Sequence, residues 1–428
     1  MRHGGIIAAA IEVLQDIETR HRPATLALKD WGLSHRFAGS GDRTAIGNLV
    51  FDALRHRSSI SWRMGSDQAR ALAIGAHRFV WGSEVDEIER LFTSDPHAPA
   101  ALSEEERARL EIGDLAGAPP AVMGDYPAWL DRELRDVFGD DLVPQMAALA
   151  ARAPIDLRVN TLKADRAKVI KALGRLPVEE TPHSPVGLRI AAGEGAARAP
   201  NVQADMSFKK GWFEIQDEGS QLAALLTGAT AGEQVADICA GGGGKTLAMA
   251  AAMQGKGQVH AWDADRNRLG DIHERVQRAA ARNVQIIGGG DAALLAPLEG
   301  RMDLVLVDAP CSGTGTWRRR PDAKWRLTEK SLDDRRRDQR EALAALAAPL
   351  VRPGGRIAYV TCSVLPSEND GAIEAFLEGH PGFGVRADLL ERLPALNGVA
   401  LPARHGLLLT PLVAGTDGFY VSVLERRA

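Results

Sequence analysis

After Trp212 the chain alternates short apolar runs with segments of helical length, and this alternation constrains its fold more than any other feature. Strands are expected at 234–238, 258–262, 284–287, 302–307 and 356–360, with helices at 245–253, 266–282, 334–350 and 367–378. Short apolar strands separated by helices imply a parallel sheet covered on both faces. Two later runs, 406–411 and 418–426, flank a Gly/Asp turn and are expected to pair antiparallel at one edge.

At 428 residues the chain is too long for one ordinary domain. Residues 1–126 read as a small helical bundle, with periodic segments at 6–19, 45–56, 66–81 and 83–93. Residues 127–205 read as a smaller α+β piece: helices at 128–138, 142–152 and 165–173, an extended run at 155–162, and a Pro/Gly-rich stretch to 200. The α/β region then occupies 206–428.

No stretch is long and apolar enough to span a membrane, and the apolar patch at 6–14 is broken by Glu12 and does not read as a signal peptide. Cys239, Cys311 and Cys362 are odd in number and far apart, which indicates neither a disulfide framework nor a zinc site. A reducing, cytoplasmic setting is expected, with no metal, membrane or obligate protein partner. The net charge of −4 disfavours a general nucleic-acid binder, but 315–340 holds ten Lys or Arg against five Asp or Glu. Such a patch can neutralise phosphates, or be no more than a solvated face.

The segment V-A-D-I-C-A-G-G-G-G-K-T follows a strand and opens a helix, where ligands bind in open α/β sheets. Three readings compete. A dinucleotide fingerprint fits Gly241 and Gly243 but meets Thr246 where a third glycine belongs. A phosphate-binding loop ending at Gly244-Lys245-Thr246 meets Cys239 in place of its first glycine, although 304–308 resembles the strand and Asp that hold magnesium. The third reading uses more of the chain. Asp263, Asp291 and Asp308 close three successive strands, and carboxylates there suit ribose hydroxyls and an adenine amino group. S-adenosyl-L-methionine carries both of these and no phosphate.

Cys311 follows the fourth strand and Cys362 the fifth, so both thiols are expected at the same sheet edge as the glycine loop. Carbon 5 of cytosine is too weak a nucleophile to take a methyl group unaided. A thiolate adding to carbon 6 makes it an enamine, and Asp308 can hydrogen-bond the base as charge develops. The residues alone leave open which thiol attacks, and whether both are merely buried structural cysteines.

Three blocks, C-A-G-G-G-G-K-T, D-A-P-C-S-G-T-G-T-W-R-R-R-P-D-A-K-W and Y-V-T-C-S-V-L-P-S-E-N, resemble the RsmB/Sun-type (NOL/NOP/Sun) RNA cytosine-5 methyltransferases. G-W-F-E-I-Q-D-E-G-S-Q, L-R-V-N-T-L-K and T-D-G-F-Y resemble further blocks of that family. The resemblance implies a Rossmann-like methyltransferase sheet, a small RNA-recognition-like subdomain over 127–205, and 5-methylcytosine as product. It implies Cys362 as nucleophile and Cys311 as the residue assisting product release. Enzymes acting on DNA use the Pro-Cys thiol instead, which would exchange those roles. Cofactor contacts are implied for Cys239, Ala240, Gly241, Gly242, Gly243, Gly244, Lys245, Asp263, Asp291 and Asp308. The family carries Ala-Pro where this chain has Gly241-Gly242, which loosens the loop at an entropic cost of about 1 kcal/mol.

More loosely, G-D-R-T-A-I-G-N-L-V-F-D-A-L-R-H-R resembles a NusB-like RNA-binding extension, making small-subunit ribosomal RNA the favoured partner. Arg158 and Asn160 fall on the subdomain's strand, as an RNA-facing pair or a surface pair beside a turn. Arg318, Arg319, Arg320, Lys324 and Arg326 are expected as phosphate contacts, with Trp317 or Trp325 available for stacking. The alternatives are a phosphate-loop NTPase and a non-catalytic RNA-binding factor. Retention of both cysteines, Asp308 and Lys245 argues against the second.

Overall fold

The computed structural model describes residues 1–428, which fall into two compact units. The first comprises Met1–Arg152, Ala192–Ala199 and Trp317–Leu327; the second comprises Ala153–Ala191, Pro200–Thr316 and Thr328–Ala428.

The first unit is helical. His3–Arg20, Ser40–Arg55, Ala69–Phe79 and Val85–Ser94 form where the apolar period places them, and bury Ile7, Leu49, Val50, Ile74 and Ile88 together. Ala24–Ser34, Arg57–Met64 and Glu104–Ile112 are helices that periodicity misses. Arg57–Met64 and Glu104–Ile112 are short and carry few apolar residues, and Ala24–Ser34 buries only Ala24, Ala27 and Gly32, so each pattern is weak. Glu104–Ile112 did carry another signal, since Ser103 and Glu106 form a reciprocal capping box.

The segment Trp317–Leu327 is built into this helical unit, which overturns part of the phosphate-contact expectation. Lys324 is buried with its ammonium donating to the Arg55 carbonyl at 2.9 Å, and burial pushes its pKa down to about 8. Trp325 Nε1 donates to the Leu54 carbonyl, and the Arg318 carbonyl accepts from Arg55 Nε at 3.1 Å. Arg318 and Trp317 are buried as well. A side chain so enclosed cannot reach a phosphate or stack on a base without the packing coming apart. Arg320 and Arg326 remain at the surface, the latter paired with Asp322 at 2.9 Å. Further along the basic run, Arg335, Arg336 and Arg337 each pair with an aspartate one turn away, so much of the local excess is cancelled on its own helix.

The second unit carries two sheets. The smaller is antiparallel: β1 (Ile155–Val159), β2 (Val178–Glu180), β3 (Gly187–Ile190) and β4 (Phe213–Ile215), in the order β2-β3-β1-β4. The pair β2 and β3 lies in the stretch that reads as Pro/Gly-rich loop; strands this short carry no readable alternation. Arg158 and Asn160 are interior, not a surface pair. Arg158 Nε donates to Gln216 Oε1 at 2.6 Å, and the Asn160 amide donates to the carbonyls of Gly211 and Ala279.

The larger sheet contains β5 (Gln234–Asp237), β6 (Gln258–Asp263), β7 (Val284–Gly289), β8 (Met302–Asp308), β9 (Val351–Thr361), β10 (Phe383–Val385), β11 (Leu401–Pro402), β12 (Leu407–Leu409) and β13 (Phe419–Arg426). Its order is β11-β12-β13-β9-β8-β5-β6-β7, with β10 pairing β13. Strands β5 to β9 run parallel, and β13 is antiparallel to β9. Five parallel strands followed by a reversed one make the Rossmann-like methyltransferase sheet that the sequence leads one to expect. The pair β12 and β13 is antiparallel, but β13 sits inside the sheet rather than at its edge.

Two helices differ from expectation. The segment 266–282 is broken into a 3-10 turn, Arg266–Leu269, and a helix, Ile272–Ala279. Gly270 lies between them, and Asp265 caps the turn through Asn267 N. The helix expected at 334–350 starts earlier, at Glu329, capped by Thr328 and Ser331, and changes to a π-helical turn at Ala342–Ala347.

Candidate active site

Strand order reverses between β8 and β5, so the carboxyl ends of β5, β6, β8 and β9 open on one crevice, where open α/β sheets bind ligands. Cys239 to Lys245 follow β5, Asp263 ends β6, Asp308 ends β8 and Cys362 follows β9.

The glycine loop turns by positive φ at Gly241 (49°) and Gly243 (80°). A Cβ on Gly243 would fall 2.6 Å from Ile272 Cγ1, so the loop also needs the missing side chain for its packing. Gly241 N donates to Asp263 Oδ2 at 2.9 Å, and Asp265 N donates to Asp263 Oδ1 at 2.9 Å. Asp263 is therefore fixed at the loop, with Arg268 within 3.5 Å. Gly242 is tied through its carbonyl, which accepts from Arg275.

Lys245 and Thr246 decide between the loop readings. A phosphate-binding loop needs the lysine on the phosphates and the hydroxyl on magnesium. Here Lys245 Nζ donates to Asp308 Oδ2 at 2.8 Å, and the buried Thr246 hydroxyl donates to Asp237 Oδ2 at 2.6 Å. Both groups are engaged within the protein, and Cys239 stands where a phosphate-binding loop has its first glycine, so the site favours the third reading of the loop. Asp237 was not singled out from the sequence. Burial pushes its carboxyl up to about 7 against the hydrogen bond from Thr246.

Asp291 is placed differently from Asp263 and Asp308. It is exposed at the end of the β7 segment, and its side chain caps the turn Ala292–Leu298 by accepting from Ala293 N at 2.9 Å. Cys239 is partly buried, and burial followed by the Asp237 charge pushes its thiol well up.

The two other thiols meet. Cys311 Sγ lies 3.4 Å from Cys362 Sγ, although the residues come from different strand ends. The loop after Cys311 is laid over the end of β9: Gly315 N donates to the Cys362 carbonyl at 2.9 Å, and Val364 N donates to Thr314 Oγ1 at 2.9 Å. The pair is electrostatically unequal. The hydrogen bond from Cys311, aided by the Lys245 charge, holds Cys362 below the usual thiol range. The same contact, with burial, pushes Cys311 well above it.

Sequence reasoning missed Glu368, which is fully buried. Its carboxylate accepts from Ser312 N at 2.8 Å, from Gln339 Nε2 at 3.0 Å, and from the hydroxyls of Ser312 and Ser363. The S-E-N triplet after the second cysteine was the available signal, but a lone glutamate before a helix reads as a first-turn residue.

Comparison with known proteins agrees with this arrangement. A family model described as 16S rRNA methyltransferase RsmB/F matches residues 224–425, and a second, the Methyltr_RsmF/B-like ferredoxin-like domain, matches residues 126–194. Ribosomal RNA small subunit methyltransferase B of Yersinia pseudotuberculosis is 28% identical over 410 residues, covering 90% of this chain and 91% of its own length. A probable ribosomal RNA small subunit methyltransferase B of Synechocystis is 32% identical over 307 residues, covering 70% of this chain and 67% of its own length. The crystal structure of PH0851 covers 100% of this chain and 99% of its own, with a TM-score of 0.73 at 24% identity, a likeness of fold.

Proposed function

The chain belongs to the RsmB/Sun-type family of S-adenosylmethionine-dependent ribosomal RNA methyltransferases, and on that premise we propose that it methylates carbon 5 of a cytosine in small-subunit ribosomal RNA. The observation that carries this reading is the 3.4 Å approach of Cys311 and Cys362 beside the Lys245–Asp308 pair.

S-adenosylmethionine supplies the methyl group when bound, and the residues at the strand ends fit it. Asp263, fixed against the glycine loop, suits ribose hydroxyls, and the engaged Lys245 leaves no phosphate cradle. Cys239 to Gly244 supply loop backbone, and Asp291 supplies a carboxylate at the crevice rim. Each of these contacts is part of the proposal.

Cys362, held as thiolate, adds to carbon 6 of the cytosine, and the pair of the carbon 5–carbon 6 double bond moves toward carbon 5. Asp308, held in place by Lys245, accepts from the exocyclic amino group and so orients the base over the thiolate. Once carbon 5 is methylated, its proton leaves to a base. The C–H pair re-forms the double bond, and the sulfur–carbon bond breaks back onto Cys362. Cys311, a thiol 3.4 Å away, donates its hydrogen to the departing thiolate and so assists release. Three free thiols suit a reducing compartment, and a cytoplasmic location belongs to the same reading.

The test uses RNA and small-subunit particles from cells lacking the protein, tritium-labelled cofactor, and wild type, Cys362→Ala and Cys311→Ala proteins. Wild type should label cytosine. Cys362→Ala should abolish label and covalent adduct, and Cys311→Ala should accumulate adduct that survives denaturing gels. The reverse pattern would exchange the two roles, and no label from wild type on either substrate would refute the reading.

A further inference from the structure

Glu368 stands where a buried carboxylate is hard to explain by stability alone. It is fully buried, and its four donors, Ser312 N, Ser312 Oγ, Ser363 Oγ and Gln339 Nε2, are all neutral. Burying an ionised carboxylate is unfavourable, and neutral hydrogen bonds offset that only in part. Four donors converging on two oxygens nevertheless define what must occupy the place. An ionised carboxylate accepts from all four, whereas an amide would accept from two and reverse the hydrogen bonds of the Ser312 and Ser363 hydroxyls.

The donors connect the two halves of the reaction. Ser312 follows Cys311 on the loop after β8, and Ser363 follows Cys362 at the end of β9. Gln339 also donates to the Pro310 carbonyl, on the other side of Cys311, at 3.0 Å. The Ser312 and Ser363 hydroxyls themselves lie 3.4 Å apart, next to the 3.4 Å sulfur pair. One carboxylate thus draws together the residues adjoining both thiols. We propose that Glu368 is the positioning residue of the two-thiol reaction: it ties the Cys311 loop to the Cys362 strand end and so sets the approach of the two sulfurs.

Charge gives this tie a chemical consequence. The groups facing the pair are Lys245 and Asp308 from the crevice side, Glu368 beneath, and Tyr359 from β9. The Glu368 charge disfavours ionisation at both sulfurs, but only Cys362 has Lys245 to offset it. The negative charge therefore settles on Cys362, and Cys311 keeps its proton. This deepens the reading of the site as a two-cysteine methyltransferase and rests on it.

The experiment compares full-length wild type with Glu368→Gln and Glu368→Asp in three measurements. Methyl transfer to RNA is followed at saturating substrates. Cofactor binding is measured by calorimetry. Iodoacetamide labelling without RNA, resolved by peptide mass spectrometry across pH, reports which thiol is the thiolate. Glu368→Gln should lose about 30-fold or more in kcat, with KM values and cofactor affinity within about threefold. Its preference for labelling Cys362 over Cys311 should also shrink, because the two sulfurs part and Cys362 loses its contact with Cys311, leaving Lys245 alone to sustain what remains. Glu368→Asp, which keeps two acceptor oxygens, should recover part of that preference. A merely structural carboxylate would not move the labelling preference. Glu368→Gln with wild-type kcat and wild-type labelling preference would overturn the proposal. If that variant does not fold, Ser312→Ala takes its place, and an unchanged kcat there overturns the proposal equally. Failure of wild type to methylate any RNA would instead strike the functional reading. An active wild type beside an equally active Glu368→Gln strikes only this one.

Discussion

Replacing Gly315 with alanine tests how the reactive pair is held. Gly315 N donates to the Cys362 carbonyl at 2.9 Å, and the Gly315 carbonyl accepts from Gly418 N at 2.8 Å. Here two stretches of backbone touch with no side chain between them. A Cβ on Gly315 would fall 2.3 Å from the Gly418 carbonyl oxygen and 2.6 Å from Gly418 Cα, where ordinary contact begins at 3.4 Å. The loop must therefore retreat by about 1 Å, because close-packed interiors leave no slack to absorb it. No rotamer change can relieve the clash, since the obstacle is backbone entering β13, which is paired to β9. The retreat strains both hydrogen bonds and carries the Cys311 loop away from Cys362.

Two magnitudes follow, and separate assays read them. Overpacking of this kind costs about 1–3 kcal/mol, a fall in melting temperature of a few degrees for a chain this long. A misplacement of about 1 Å in a reacting group costs about 100-fold in rate. Single-turnover methyl transfer should show that loss. Cofactor affinity from calorimetry should stay within about threefold, since Gly241–Gly244 belongs to a different strand end. Gly418→Ala makes the reciprocal contact, 2.6 Å from Gly315 Cα, and should reproduce the pattern. A folded Gly315→Ala protein that keeps its kcat would refute the idea that this backbone contact sets the thiol geometry.

Three further outcomes are expected. Because Cys311 and Lys245 lower the Cys362 thiol, the acidic limb of kcat/KM should lie below that of a thiol without these neighbours. Lys245→Met removes a cation that favours the thiolate, so a pH–rate profile should show that limb moving upward. His77, buried in the helical unit, has its imidazole pushed from 6.5 to about 4 by burial. On acidification the unfolded chain takes up this proton first, so its contribution is complete above pH 6.5 and is lost as pH falls toward 4. The loss amounts to at most about 3 kcal/mol. Urea midpoints of His77→Leu should depend less on pH than those of wild type across that window. Gly242→Pro should lower the cofactor Kd by up to about fivefold by removing freedom from the loop. A Cβ there meets only the flexible end of Arg275, at 3.0 Å, and an unchanged Kd would show the loop already ordered by its ties to Asp263 and Arg275.

The parallel sheet was legible because its strands are buried on both faces and read as apolar runs of the right length. Val235, Val259, Leu304, Leu306, Ala358 and Val360 all lie in one core. Placement was legible where a residue lies next to a strand end: Asp263, Asp308, Cys311 and Cys362 all come to the sheet edge expected of them. Local pattern failed where a residue's role depends on distant chain. The basic run was read as a surface because Arg318 and Lys324 carry charge. Their burial depends on Leu54 and Arg55, which lie far away in sequence. Asp291 shares its strand-end register with Asp263 and Asp308, and its side chain also caps a turn by accepting from Ala293 N, which the register alone does not show. The strands β2 and β3 escaped because three or four residues cannot show a period.

The unequal roles of the two cysteines belong to this last class. Both thiols follow a strand and precede a serine, and the residues before them, Pro310 and Thr361, assign roles only through the family resemblance. What separates them is a charge from elsewhere, Lys245, from the helix after β5. That cation favours the thiolate at Cys362, while Glu368, from the turn before Asp370, disfavours ionisation at both sulfurs. The assignment should therefore follow the charges and not the motif. Removing Lys245 alone leaves the order weakened but intact, because the Cys311 hydrogen bond still favours the Cys362 thiolate. Removing Glu368 as well parts the two sulfurs and withdraws that contact, and with Asp308 left facing Cys362 iodoacetamide should no longer prefer it.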